Sequence, residues 1–254
     1  MKIEILYPEI CNLYGELGNM RYLKDCLTAS GVDYEVVETA INERPLFVSE
    51  KPDLIYMGTL TENNQLIAIE ALQPYRGQLI ERIQDNTLFL ITGNALEVFG
   101  HAIETEDGSR IPGLNLYNTV AKRKMFDRYN SLYWGNYTDG HETQEIFGFK
   151  SQFAHSYPEE NTGAAFEYKP VFTTVPNKGC GLNPDTLEEG VQINRFTATY
   201  IIGPVLTVNP LFTLNLMKKM GIEQPKCAFE KEAMTAYEMR QKEFTDPDMG
   251  YTFG

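Results

Sequence analysis

Over the first hundred residues, short apolar runs alternate with stretches whose apolar positions recur every three to four residues, as strands alternating with amphipathic helices do. Ile3 to Tyr7 reads as the first strand, and a polar loop from Pro8 to Gly18 follows it. A helix from about Asn19 to Ala29 puts Met20, Leu23, Cys26 and Leu27 on one face before the break at Gly31, so Cys26 reads as core. Residues 34–37 and 53–58 form two more strands, and helical patterns cover 63–72, stopping before Pro74, and 77–84. Thr87 to Thr92 carries the most continuous apolar run, the mark of a central strand, and Gly93-Asn94 turns from it into a helix. This order predicts a parallel sheet covered by helices.

Beyond residue 100 the pattern shifts toward alternation, with strands expected around Asn115–Val120, Glu145–Phe149, Ala165–Thr174 and Thr197–Ile202. Asn209-Pro210 reads as the N-cap and first residue of a helix to Met220, closed by Gly221. A last amphipathic helix runs from about Ala228 to Phe244. With no internal repeat or linker-like stretch, residues 1–254 read as a single domain, of which 224–254 are the C-terminal helix and tail.

Charge narrows the function. The 22 Lys and Arg against 35 Asp and Glu leave a net charge of −13, which repels nucleic acid. No apolar run approaches the roughly 18 residues of a membrane span, and the N-terminus lacks a leader pattern, so a cytoplasmic protein is expected. Four cysteines and three histidines show neither Cys-x-x-Cys nor His-x-x-x-His spacing, and no metal site is predicted.

Ligands of an open parallel sheet sit outside the carboxyl ends of its strands. The most informative loop there is Phe89-Leu-Ile-Thr-Gly-Asn-Ala-Leu-Glu-Val-Phe-Gly100, a strand, a sharp turn and a helix. Such an elbow lifts one side chain clear as a nucleophile and brings N–H groups to an oxyanion. Here that position is Gly93.

Three segments in order, LYPEICNLYGELGN (Leu6 to Asn19), GHAIETEDGSRIPGLNLYNT (Gly100 to Thr119) and EGVQINRFTATYIIGPVLTVNP (Glu189 to Pro210), carry a resemblance. The chain resembles the class I glutamine amidotransferases, in the cobyric acid synthase-like (CobB/CobQ-like) branch that contains the glutaminase subunit of lipid II isoglutaminyl synthase. The resemblance implies a flavodoxin-like α/β fold, three layers around a mostly parallel sheet. It further implies a glutaminase linked to amidation of peptidoglycan precursor, a Mur-ligase-like synthetase as partner, and no cofactor.

The departures fall on the chemistry. The family elbow Cys-Gly-Gly-Tyr-Gln-x-Leu-Gly, aligned on Gly100, puts the nucleophile at Gly93, and Thr-Tyr-Leu-His-Gly-Pro puts the base at Ile202. The family's Gly-Gly-Gly-Gln-Asp reads Gly58-Thr59-Leu60-Thr61-Glu62, and its Glu-Asn-His reads Lys150-Ser151-Gln152. Glutamine hydrolysis needs a thiolate and a histidine, so a chain without glutaminase activity is expected. Gly93 leaves room for a small glutamine-like ligand in a pocket lined by Gly58, Thr59, Leu60, Thr92, Asn94, Ala95 and Glu97. A family arginine meets the glutamine carboxylate, which makes Arg123 or Arg128, in the basic run with Lys122 and Lys124, an anion site or else a solvated face. Cys11 is either a displaced nucleophile or a small core residue, and Cys180 either an activated thiol or a turn residue. Cys227 has no neighbour in sequence to pair with. His101 is expected to pack or cap, His141 to lie in a solvated turn, and His155 to pack or to meet an anion.

Overall fold

The apolar runs of the first half form parallel strands β1 (Lys2–Leu6), β2 (Glu35–Thr39), β3 (Leu54–Met57) and β4 (Leu88–Thr92). Helices α1 (Gly18–Ala29), α2 (Glu62–Leu72) and α3 (Arg76–Gln84) connect them, and α4 (Ala95–Phe99) follows β4. The computed structural model describes residues 1–140 and 142–253, so the turn expected at His141 lies outside the described residues. The second half adds β5 (Ala102–Glu104), β6 (Arg110–Pro112), β7 (Thr119–Arg123), β8 (Tyr129–Thr138), β9 (Thr143–Gln152), β10 (Ala154–Pro158), β11 (Phe172–Thr174), β12 (Glu188–Glu189), β13 (Val191–Ile193) and β14 (Phe196–Thr199). The chain closes with α5 (Val205–Val208), α6 (Pro210–Lys219), α7 (Glu230–Phe244) and β15 (Thr252–Phe253).

The central sheet runs β13-β14-β4-β3-β1-β2 and is parallel except for the edge strand β13. Side chains leave each strand alternately, so Ile3, Ile5, Tyr56 and Leu90 pack under Leu23, Leu27, Phe212 and Leu216 of α1 and α6. Ile55, Met57, Phe89 and Ile91 face Ala68, Leu79, Ile83 and Leu96 of α2, α3 and α4 on the other side. Every residue of β4 is buried, as its apolar run implies. This is the expected three-layer α/β fold. Among the described residues no helix is long and apolar enough to cross a membrane.

Two further sheets grow from the second half, β10-β7-β5-β6 and β12-β11-β8-β15, with β9 paired to β8. The β8–β9 hairpin pairs ten residues on each side, from Tyr129 against Gln152 to Thr138 against Thr143. Only the middle of β9 was expected. The strand expected at 115–120 begins at Thr119, because Asn115 takes a left-handed φ of 50° and bends the chain, and that expected at 165–174 is confined to Phe172–Thr174.

Asn209 also departs from expectation: its side chain does not cap α6. Its Oδ1 accepts from Phe147 N at 2.9 Å, and its Nδ2 donates to Phe147 O and Val205 O at 2.8 Å each, which ties β9 to the entrance of α6. Pro210 still opens the helix at N1, where no N–H is needed. Asn209→Ala strands three buried backbone groups, and urea denaturation is expected to show a loss of about 3 kcal/mol.

Candidate functional site

The three positions aligned to catalysis meet at one point. Gly93 leaves β4 with a φ of 64°, a conformation other residues adopt only at a cost. A Cβ built on it would lie 1.8 Å from Thr59 Oγ1, 2.9 Å from Thr59 Cβ and 3.1 Å from Ile202 Cγ2. The free space expected beside Gly93 is therefore filled, because threonine now stands in a loop expected to carry glycine. Ile202 is held there by two backbone bonds with Phe149, N to O at 2.9 and 3.1 Å. Asn94 closes the elbow over the β3 loop, its Oδ1 accepting from Leu60 N at 3.1 Å and its Nδ2 donating to Leu60 O at 2.8 Å. Gly58, Thr59, Leu60, Thr92, Asn94, Ala95 and Glu97 all come together here, as packed interior.

Two buried carboxylates flank this packing. Glu16, from the loop after β1, accepts from Gly203 N and Asn19 Nδ2, both at 3.1 Å, and burial pushes its carboxyl up. Tyr56 donates to Glu16 O at 2.8 Å. Glu97, on α4, accepts from Gln65 Nε2 at 2.9 Å and Tyr200 OH at 3.3 Å, and burial raises it to about 7. Glu16, Gln65 and Tyr200 were not singled out from the sequence. Their only signal there was polarity, and their partners are distant in the chain.

Lys150, standing where the family has an acid, is fully buried. Its Nζ donates to Gly181 O at 2.7 Å and Cys180 O at 2.9 Å and lies 3.4 Å from Glu189 Oε1. Glu189 in turn accepts from Thr199 Oγ1 at 2.7 Å and Tyr200 N at 2.9 Å. The pair locks the hairpin to the end of β14.

The expected anion residues divide. Arg123 points inward, donating to Gln65 Oε1 at 2.5 Å with Glu97 3.9 Å away, and is not presented to a ligand. Arg128 lies on the surface over the Phe153 ring and lines a cavity. Cys11 is core, and burial pushes its thiol up, away from the thiolate a nucleophile requires. Cys180 is buried, and its carbonyl serves Lys150. Cys227 does have a neighbour, Cys26, whose sulfur accepts from Ala228 N. His101 Nδ1 meets Asn115 Oδ1 at 3.0 Å, a structural contact.

No protein-family model matches the chain. It is 24% identical over 233 residues to subunit GatD of the glutamine-hydrolysing lipid II isoglutaminyl synthase of Staphylococcus aureus (strain N315), covering 91% of this chain and 89% of that protein. Identity to GatD of Streptococcus pneumoniae (strain ATCC BAA-255 / R6) is 23% over 235 residues, covering 91% and 86%. Among solved structures it is similar to the glutaminase domain of Trypanosoma brucei CTPS with bound acivicin, at a TM-score of 0.52 and 9% identity, covering 88% of this chain and 95% of that one. A likeness at that identity is one of fold, and it agrees with the family resemblance read from the sequence.

Gly93→Cys is expected to lose roughly 2–4 kcal/mol through backbone strain and overpacking, part of it recovered by adding Thr59→Gly, as read by urea denaturation. Glu97 provides a pH test. Its folded pKa lies above the unfolded value, so its contribution to stability is full below about 4.5 and declines as pH rises toward 7, by about 1.4 kcal/mol per unit. Glu97→Gln should therefore gain on the parent chain between pH 5 and pH 8, and parallel stability curves would exclude this role.

Proposed function

We propose that this GatD-like chain, built on the glutamine amidotransferase fold, is a subunit that keeps the scaffold and its docking role but does not hydrolyse glutamine. The packed elbow is the observation that carries the reading. Amide hydrolysis by this route needs a thiolate to attack the carbonyl, a base to carry the proton to the leaving ammonia, and N–H donors for the oxyanion. Gly93 offers no heteroatom, Ile202 offers no lone pair, and the Thr59 side chain occupies the volume that a thiol at position 93 would need. Thr59 does not replace the nucleophile. Its hydroxyl points to Thr92 O, at 3.5 Å, and the neighbouring base position is the Ile202 hydrocarbon. Loss of a nucleophile and its base costs several orders of magnitude in rate.

Both GatD relatives are subunits of a larger synthase. By that similarity, this chain acts in amidation of peptidoglycan precursor in the cytoplasm, docked on a Mur-ligase-like (MurT-type) synthetase. A fold retained across the chain without its chemistry is what a docking role would preserve.

The test measures ammonia released from glutamine by the purified chain, alone and with a copurified synthetase, against a heat-denatured control. No release above control is expected, together with capture of a Mur-ligase-like protein by the tagged chain. Release above control, or a covalent adduct of a glutamine-analogue electrophile on Cys11 or Cys180, overturns the loss of chemistry. A monomer that captures no synthetase overturns the docking role.

A further inference from the structure

Side chains alternate along β7, so Arg123 enters the interior while Lys122, and Lys124 just past the strand end, project from the opposite face. The antiparallel partner β10 sets His155 directly across from Lys122, with Tyr157 two residues on along the same face. The turn between β7 and β8 then folds back, bringing the Arg128 guanidinium to 4.2 Å from the Phe153 ring centroid. Lys122 Nζ lies 5.2 Å from the Tyr157 centroid. With Tyr129, these side chains line a surface cavity of about 400 Å³ that shares no residue with the elbow.

Its charge is unbalanced. Among the described residues, none of Lys122, Lys124 and Arg128 has a carboxylate within ion-pair distance, and Asp127 is the only acid in the lining. Gathering three cations around one carboxylate costs repulsion that a bound anion removes, in a chain whose net charge is −13. His155 adds a neutral donor. Gln152 Nε2, oriented by its 2.6 Å bond to Ala154 O, also donates to His155 Nδ1 at 3.2 Å, which places the ring hydrogen on Nε2. Burial holds this histidine near 4, so it is uncharged at neutral pH.

We propose that this cavity binds a small phosphate monoester, its head held by Lys122, Lys124 and Arg128 and its organic part lying against Tyr129 and Tyr157. A carboxylate offers one charge and two coplanar oxygens. A phosphate monoester offers two charges on a tetrahedral set of three oxygens, which suits cations converging from a strand, its end and a turn. Polymeric anions are disfavoured by the charge of the rest of the chain. The aromatic walls provide the apolar lining usual in small-molecule sites.

Isothermal titration of the full chain with inorganic phosphate, a hexose phosphate, AMP and glutamate tests this. A phosphate-bearing probe is expected to bind with a Kd below about 1 mM, and glutamate at least about tenfold more weakly. Lys122→Gln and Arg128→Gln should each weaken the phosphate probe about tenfold without lowering the melting temperature, because both side chains are exposed and each substitution relieves repulsion among the three cations. An ester that binds more tightly than inorganic phosphate supports the proposal, whereas inorganic phosphate binding as tightly as every ester overturns the role given to the aromatic wall. Glutamate binding as tightly as phosphate, no binding by any phosphate probe, or binding that survives both substitutions together overturns it. None of these outcomes depends on whether the chain releases ammonia from glutamine.

Discussion

The two halves of the chain are joined at the end of β14. Ile202 forms a two-bond bridge with Phe149, and the next residue on that strand, Lys150, buries its ammonium against Glu189 and two carbonyls. Removing an ion pair from water is costly, and the cost is met only when every remaining donor and acceptor is satisfied. That condition specifies one position for the hairpin. Because Ile202 is part of the same junction, the bridge also drives its side chain against Gly93, and so the long-range architecture and the state of the elbow are set together.

Seen from that junction, the altered positions are one packing unit. A glycine at 93 accommodates the left-handed turn, and its missing side chain leaves room for Thr59 and the Ile202 methyl, both of which a Cβ there would meet. Restoring a side chain at position 93 in isolation meets the other two. Buried carboxylates persist beside it in Glu16 and Glu97, each with its hydrogen bonds supplied from other elements. They read as structural groups that orient the loops after β1 and β4, a polar frame around an apolar plug.

Much was legible in the linear pattern wherever one element could be judged by its own periodicity. The first four strands and three helices follow directly, since continuous apolar runs and three-to-four spacing report local burial. The β8 strand was missed because its Asn and Gly residues dilute the alternation that appears once Ser131, Tyr133, Gly135 and Tyr137 are seen to be buried. Arg123 and Lys122 show the same limit at a site. Adjacent cations are equivalent in composition, and only the register of β7 sends one to Gln65 and the other to the surface.

By itself, the sequence determined the layer architecture, the order of the landmark segments and the absence of cysteine and histidine at positions 93 and 202, because each is a property of local pattern or residue identity. Tertiary structure alone decided that the space at the elbow is occupied, that Asn209 binds a strand instead of capping its helix, and that Lys122, Lys124 and Arg128 face a common cavity. Those facts depend on contacts between residues far apart in the chain, and their geometry exists only after the sheets have paired in register.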